Sequence, residues 1–301
     1  MAKETAFILG TAMWGWTLDQ AQCFRILDAF YEAGGRWVDG ATNYPINKQA
    51  EDFRRAEKIL QEWIKENGVT DLQIMMKVGS INNMYTPENN LNPSFLLLCG
   101  QQYLEAFGDQ LSCLMIHWDN RGSDERQAIE QSLETLLGFE QLSLGLSGIR
   151  HPELYAALLG AYKQSGVWLQ MKHNVVYSDY ERYHPLHPYC RSIAYGINAG
   201  GLKLASAAYH DKASLLARGG VPEQHHDLVK ALQRLIRHFA EDSSKPALQK
   251  MNHIGLLHAL AHPGIERVLI GVSSVAQLRD SFEWESTLNT HDYQDWYQAL
   301  R

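Results

Sequence analysis

An aspartate and a tyrosine stand five positions apart in VDGATNY, residues 38–44, and a lysine and a histidine follow at 77 and 117, in QIMMK and LSCLMIH. Their types complement one another as proton-transfer chemistry. A phenol has an ordinary pKa of about 10, too high for an efficient acid at neutral pH. A neighbouring ammonium favours phenolate and lowers that value. Lys77 offers Tyr44 such a charge, Asp39 anchors Lys77 and keeps it protonated in a dry site, and His117 presents a hydrogen bond to a carbonyl oxygen. Together they suit the polarising of a carbonyl and the delivery of a proton to it. No side chain donates hydride, so a reduction here borrows a nicotinamide. Singly, each residue has an ordinary structural reading: a turn-capping Asp, a solvated Lys, a satisfied His. Location is what joins them.

Each of the four ends, or closely follows, a short apolar run. Eight such runs occur: 7–10, 36–40, 73–77, 111–117, 142–147, 167–172, 192–196 and 267–271. Their length and lack of polar alternation predict strands covered on both faces, hence a parallel sheet. Helical periodicity fills the intervals at 19–33, 50–67, 93–107, 123–138, 152–164, 224–240, 246–261 and 274–284. Pro152 suits a first helical turn, and Ser243 or Ser244 before Pro246 reads as a helix start. The alternation predicts an α/β chain folded as a (β/α)8 TIM barrel, a single domain over 1–301. An open doubly wound sheet is the alternative, but GTAMWGW follows the first strand where that fold places a glycine fingerprint. A barrel keeps its working residues at the C-terminal ends of its strands, where Asp39, Lys77 and His117 fall, with Tyr44 in the loop after the second. The connection 197–223 is long enough to be functional or mobile. The tail after Trp284 is expected on the outside or over one mouth.

The chain has 301 residues, with 27 Lys plus Arg against 34 Asp plus Glu, a net charge of −7. No basic stretch points to nucleic acid as a partner. No apolar stretch approaches the ~20 residues of a membrane span, and MAKETAFILG lacks a signal-peptide core, so a cytoplasmic setting is expected. The four cysteines show no paired spacing and read as reduced thiols. YHPLHPYC places His184, His187 and Cys190 at zinc-like intervals, but Pro185 and Pro188 stiffen the segment and a fourth ligand is lacking, so no metal is expected.

In sequence order, GTAMWG, GGRWVDGATNY, IMMKVG, LMIHWD, GLSG, QMKHN, AYGINAGGL and GVSSVAQL resemble the motifs of the aldo-keto reductases over nearly the whole chain. The resemblance implies that Asp39, Tyr44, Lys77 and His117 are the family's catalytic tetrad. It implies that Thr11, Ser147, Gln170, Tyr195, Gly196, Gly271, Ser273 and Gln277 bind the cofactor. Ser147 and Gln170 would hold the nicotinamide carboxamide, Tyr195 would stack on the ring, and Gly271, Ser273 and Gln277 would lie along the adenosine 2′-phosphate or ribose. Gly148 departs from the family's Asn, removing one carboxamide contact. Gly271 and Gln277 replace Lys and Arg, and neutral groups bind phosphate less well, so NADP(H) is favoured with NAD(H) as the alternative. Arg279 is a possible substitute cation. Trp14 and Trp118, with Trp16 and Tyr183, are expected at the substrate mouth, and Asn43, Asn47 and Asn120 would bind hydroxyls of a sugar-like carbonyl or alcohol. The implied activity is NAD(P)H-dependent reduction of an aldehyde or ketone, or the reverse, by a monomer. A cofactor-sensing subunit with little turnover and, more remotely, a metal-dependent barrel hydrolase are the alternatives.

Overall fold

All eight apolar runs are strands. A computed structural model describes residues 4–205 and 208–301. The strands are β1 (Phe7–Gly10), β2 (Trp37–Ala41), β3 (Gln73–Val78), β4 (Leu111–Asp119), β5 (Ser143–Ile149), β6 (Val167–Asn174), β8 (Cys190–Tyr195) and β9 (Arg267–Ile270), and a two-residue strand β7 (Tyr177–Ser178) folds back antiparallel on β6. The parallel order is β5-β4-β3-β2-β1-β9-β8-β6, and pairing of β5 with β6 closes the ring into a (β/α)8 barrel. Ile8, Met75, Cys113, Met115, Trp168 and Ile193 fill its interior, while a larger apolar cluster lies between strands and helices. Burial on both faces is why the strands read as unbroken apolar runs.

The helices are α1 (Gln20–Glu32), α2 (Arg55–Asn67), α3 (Pro93–Phe107), α4 (Arg126–Leu137), α5 (Pro152–Ala161), α6 (Ser214–Ala217), α7 (His226–Phe239), α8 (Met251–Leu260), α9 (Val275–Thr290) and α10 (Gln294–Leu300). Asp19 and Gln22 form a capping box at the start of α1, and Pro152 occupies the first turn of α5.

Three helix expectations need correction. The pattern at 50–67 is two pieces, a turn at Ala50–Asp52 and then α2, because Arg54 has φ +64°. Its guanidinium holds the kink by bonding buried Glu57 at 2.7 Å, and Tyr103 donates to the same carboxylate at 3.1 Å. The pattern at 246–261 forms helix only from Met251. The stretch before it docks on the C-terminal segment, where Tyr293 Oη donates to the Pro246 carbonyl at 2.7 Å and Lys245 pairs with Asp295 at 2.6 Å. The last long helix continues to Thr290, six residues past its expected end at 284. The tail packs on the outside as α10, with Trp296 stacked on Phe239 at 4.5 Å. Within 197–223, α6 is the only α-helix among the described residues.

Candidate active site

β2, β3 and β4 bring three of the four chemistry-bearing residues to the C-terminal end of the barrel. Register pairs Ala41 with Lys77 and Lys77 with Met115, so Asp39 and His117 sit two residues below and above the lysine's level. Asp39, Lys77 and His117 are 1 %, 1 % and 3 % exposed. Lys77 Nζ forms an ion pair with Asp39 Oδ2, and Gln170 Nε2 donates to Asp39 Oδ1 from the far side of the barrel. Lys77 Nζ also lies 5.0 Å from the centre of the Tyr44 ring, close enough for its charge to act on the phenol. The Tyr44 and His117 rings meet edge to face at 6.2 Å. Thr11 donates through Oγ1 and N to the Asp39 carbonyl, at 2.9 and 3.2 Å, which fixes the backbone beneath the carboxylate.

The electrostatics refine the expected division of labour. Burial alone would discharge Lys77, but the Asp39 carboxylate and the Tyr44 oxygen outweigh it and push the ammonium above its ordinary value. Burial raises the Tyr44 phenol, and this exceeds the opposing pull of Lys77 and, more weakly, of Arg218. Lys77 pulls the phenol down as expected, but burial, with the Asp39 carboxylate adding to it, outweighs that pull and the net shift is upward. Lys77 moderates a rise, and Tyr44 keeps its proton at neutral pH. Burial and the Lys77 charge hold His117 well below the ordinary imidazole range, so it is neutral. Its Nδ1 has no hydrogen-bond partner among the described residues.

The candidate cofactor residues fall into two groups. Register sets His117 beside Ser147 and Ser147 beside Gln170, a row across β4, β5 and β6. Ser147 and Gln170 are 4 % and 2 % exposed. Gln170 gives its amide nitrogen to Asp39. Tyr195 ends β8 half-buried, and Gly196 follows at φ +67°, a conformation that suits glycine. The second group lies at the start of α9. A side chain at Gly271 would meet nothing within 4 Å. Gln277 Oε1 accepts from Ser273 N and Oγ at 2.9 and 3.0 Å, and Ser274 caps the helix. This end is internally satisfied and neutral, with exposed Arg279 the cation close by in sequence.

Several substrate expectations fail on burial. Trp14 is 1 % exposed and packs in the main core, so it does not line the mouth. Tyr183 is equally buried, and its hydroxyl accepts from Ile149 N at 3.2 Å and donates to the Ile149 carbonyl at 3.5 Å. Asn47 is engaged with Asp52 at 2.6 Å. Trp118 is half-buried beside His117, 4.9 Å between ring centres, and Tyr85 of the β3–α3 connection stands 6.1 Å beyond it. Asn43 is fully buried with neither side-chain polar atom partnered, which singles it out among the three asparagines. The role of Tyr85 was not legible in the sequence, since 33 residues separate it from Trp118. Among the described residues no group of three or more His, Cys, Asp or Glu is arranged to hold a metal.

A parallel barrel with its buried ionisable groups gathered at one mouth is an enzyme architecture. The model of the Aldo/keto reductase family matches residues 6–301, and the chain belongs to that family. Membership implies NAD(P)H-dependent carbonyl oxidoreduction, and the family generally uses NADP(H). No curated protein matches the sequence. No helix among the described residues is long and apolar enough to cross a membrane.

Proposed function

We propose that this chain reduces the carbonyl of a small polar aldehyde or ketone, or oxidises the corresponding alcohol, with NADP(H) favoured over NAD(H). The observation that carries the reading is the buried Lys77–Asp39 pair with its ammonium 5.0 Å from the centre of the Tyr44 ring. Bound nicotinamide supplies the hydride equivalent. Tyr44 Oη gives its proton to the carbonyl oxygen, which as an alkoxide is a far stronger base than phenolate. Lys77 stabilises the phenolate left behind, and Asp39 holds Lys77 charged. Neutral His117 hydrogen-bonds the oxygen without competing as an acid. Ser147 and Gln170 hold the carboxamide, Tyr195 packs on the ring, and Gly196 lets the backbone approach. Thr11 supports Asp39 from below. Gly271, Ser273 and Gln277 carry the adenosine end, and their neutrality supports keeping NAD(H) as the second cofactor. Asn43 and the aromatic pair Trp118 and Tyr85 support a hydroxylated substrate such as a sugar, since flat aromatic walls and an uncommitted amide suit both faces and edges of such molecules. The setting we propose is a cytoplasmic, single-domain monomer.

The test is Tyr44→Phe. It is expected to bind NADPH as the parent does and to lose about 10²–10⁴ of turnover across a carbonyl panel, followed by absorbance of the reduced nucleotide. Unchanged turnover removes Tyr44 as proton donor. Tight nucleotide binding with no oxidation by the parent protein on any carbonyl favours the sensor subunit instead.

A further inference from the structure

Trp118 and Gly148 face each other across β4 and β5. Register pairs His117 with Ser147 and Asp119 with Ile149, which leaves these two residues opposite one another between the paired steps. Both are left-handed, at φ +57° and +69°. For a tryptophan this is a strained conformation, and it needs a surrounding structure that imposes it. Here Asn89 Nδ2 donates to the Trp118 carbonyl at 3.0 Å, and the indole lies against His117 and Tyr85. A Cβ built on Gly148 would stand 2.6 Å from Trp118 Cδ1 and 3.4 Å from its Cα. The obstacle to a side chain at 148 is therefore space more than backbone. Asparagine tolerates positive φ well, but no residue with a Cβ tolerates that contact while the indole stays where it is.

Resting on the reductase reading, we infer that Trp118 and Gly148 act as one unit that walls the carboxamide subsite: the indole takes the volume a side chain at 148 requires, so that the group held by Ser147 and Gln170 meets an aromatic ring edge on its third side instead of a polar side chain. Ser147 adjoins both members of the pair, through the chain to Gly148 and through register to His117 and hence Trp118. The loss of a side chain at 148 and the left-handed seat of Trp118 then have one cause. Trp118 is a positioning residue for the nucleotide as well as a wall for the substrate.

The experiment is a double-mutant cycle read by thermal unfolding and by the Kd of NADPH from its own fluorescence. Gly148→Asn alone is expected to lower Tm or to abolish folding, and to weaken NADPH where folded protein is obtained. Trp118→Ala makes room, so Trp118→Ala/Gly148→Asn is expected to fold at least as well as Trp118→Ala and to bind NADPH up to about tenfold tighter than it, the worth of one added hydrogen bond. Equal damage from Gly148→Asn in both backgrounds, or a double variant that does not fold, overturns the interlock. A second measurement needs no change at 148. NADP⁺ is expected to quench tryptophan emission in the parent and to quench it less in Trp118→Phe, and an unchanged quench overturns the placing of the indole beside the nucleotide. Failure of the parent to bind any nicotinamide nucleotide sinks the reductase reading and this inference together, whereas binding with an additive cycle sinks the inference alone.

Discussion

The two faces of β6 carry opposite solutions to burying titratable groups. Inward, Gln170 joins Asp39, Lys77 and Tyr44, a set held by an ion pair and hydrogen bonds. Outward, three residues along, His173 meets His258 at 4.5 Å and His262 at 5.0 Å, between the barrel and α8. Tyr180 meets His262 and His187 with tilted rings at 4.3 and 4.2 Å, and Tyr297 of α10 lies 6.1 Å from His258. Charge is scarce in this outer cluster: Arg301 and Glu181 act on it from its margins. Nε2 of His173, Nδ1 of His258, Nε2 of His187 and the Tyr297 hydroxyl have no hydrogen-bond partner among the described residues. Burial then holds His173 and His258 at about 4, with neighbouring histidines adding to the fall. Burial is thus common to both faces, and the partners decide the outcome. Lys77 stays charged because Asp39 was placed beside it; the histidines stay neutral because nothing was.

The contrast is tested first by making the inner face resemble the outer one. Lys77→Met leaves Asp39 buried without its counter-charge, which is expected to cost about 3–5 kcal/mol in urea unfolding and to reduce turnover at least as far as Tyr44→Phe does. A variant as stable as its parent would mean the pair was not ionised. The second test is acid. Above pH ~6.5 histidines are neutral folded and unfolded alike, so the cluster adds no pH dependence there. Between ~6.5 and about 4 the unfolded chain takes protons that folded His173 and His258 refuse, so stability falls with pH, by several kcal/mol in order of magnitude, and levels off below that window. In His173→Gln/His258→Leu this part of the decline should flatten, measured as the difference from the parent at each pH, because carboxylates titrating nearby cancel in the difference. Superimposable curves would remove the cluster as the source. The smallest effect concerns the hydrogen bond between His173 Nδ1 and Ser178 Oγ at 2.7 Å. Ser178→Ala is expected to cost about 1 kcal/mol at pH 7 and to move the His173 titration seen by NMR. A silent substitution would show that β7 does not hold the ring.

The inner face was legible in the sequence and the outer one was not, for a physical reason. Asp39, Lys77 and His117 each sit at the end of an apolar run, and strand ends in a barrel converge whatever their separation along the chain. His173, His187, His258 and His262 converge through helix packing, and no spacing in the sequence registers that. YHPLHPYC drew attention to His184 and His187 as metal-like, but His184 lies against His187, and His187 against Tyr180, which reaches His262, a packing arrangement. Trp14 shows the converse error: residue type suggested a mouth, and only packing reveals that its ring belongs to the core. The kink at Arg54 was hidden because an arginine carries no sign of positive φ. Gly148 was visible as a departure, but its reason lies in the neighbouring strand.

The closure of the ring by β1 against β9 has a consequence for how the molecule is made. β1 ends at residue 10 and β9 begins at 267, so the first strand emerges with one edge that waits for nearly the entire chain to be synthesised. Thr5 and Ala6 wait likewise for Glu285, which clasps both at 2.7 Å. A nascent or truncated chain stopping short of 267 exposes two open sheet edges, the features that recruit other strands and seed aggregates. Shortening this protein from its C-terminus should accordingly turn it from soluble product into inclusion bodies abruptly, at the point where the last strand is lost.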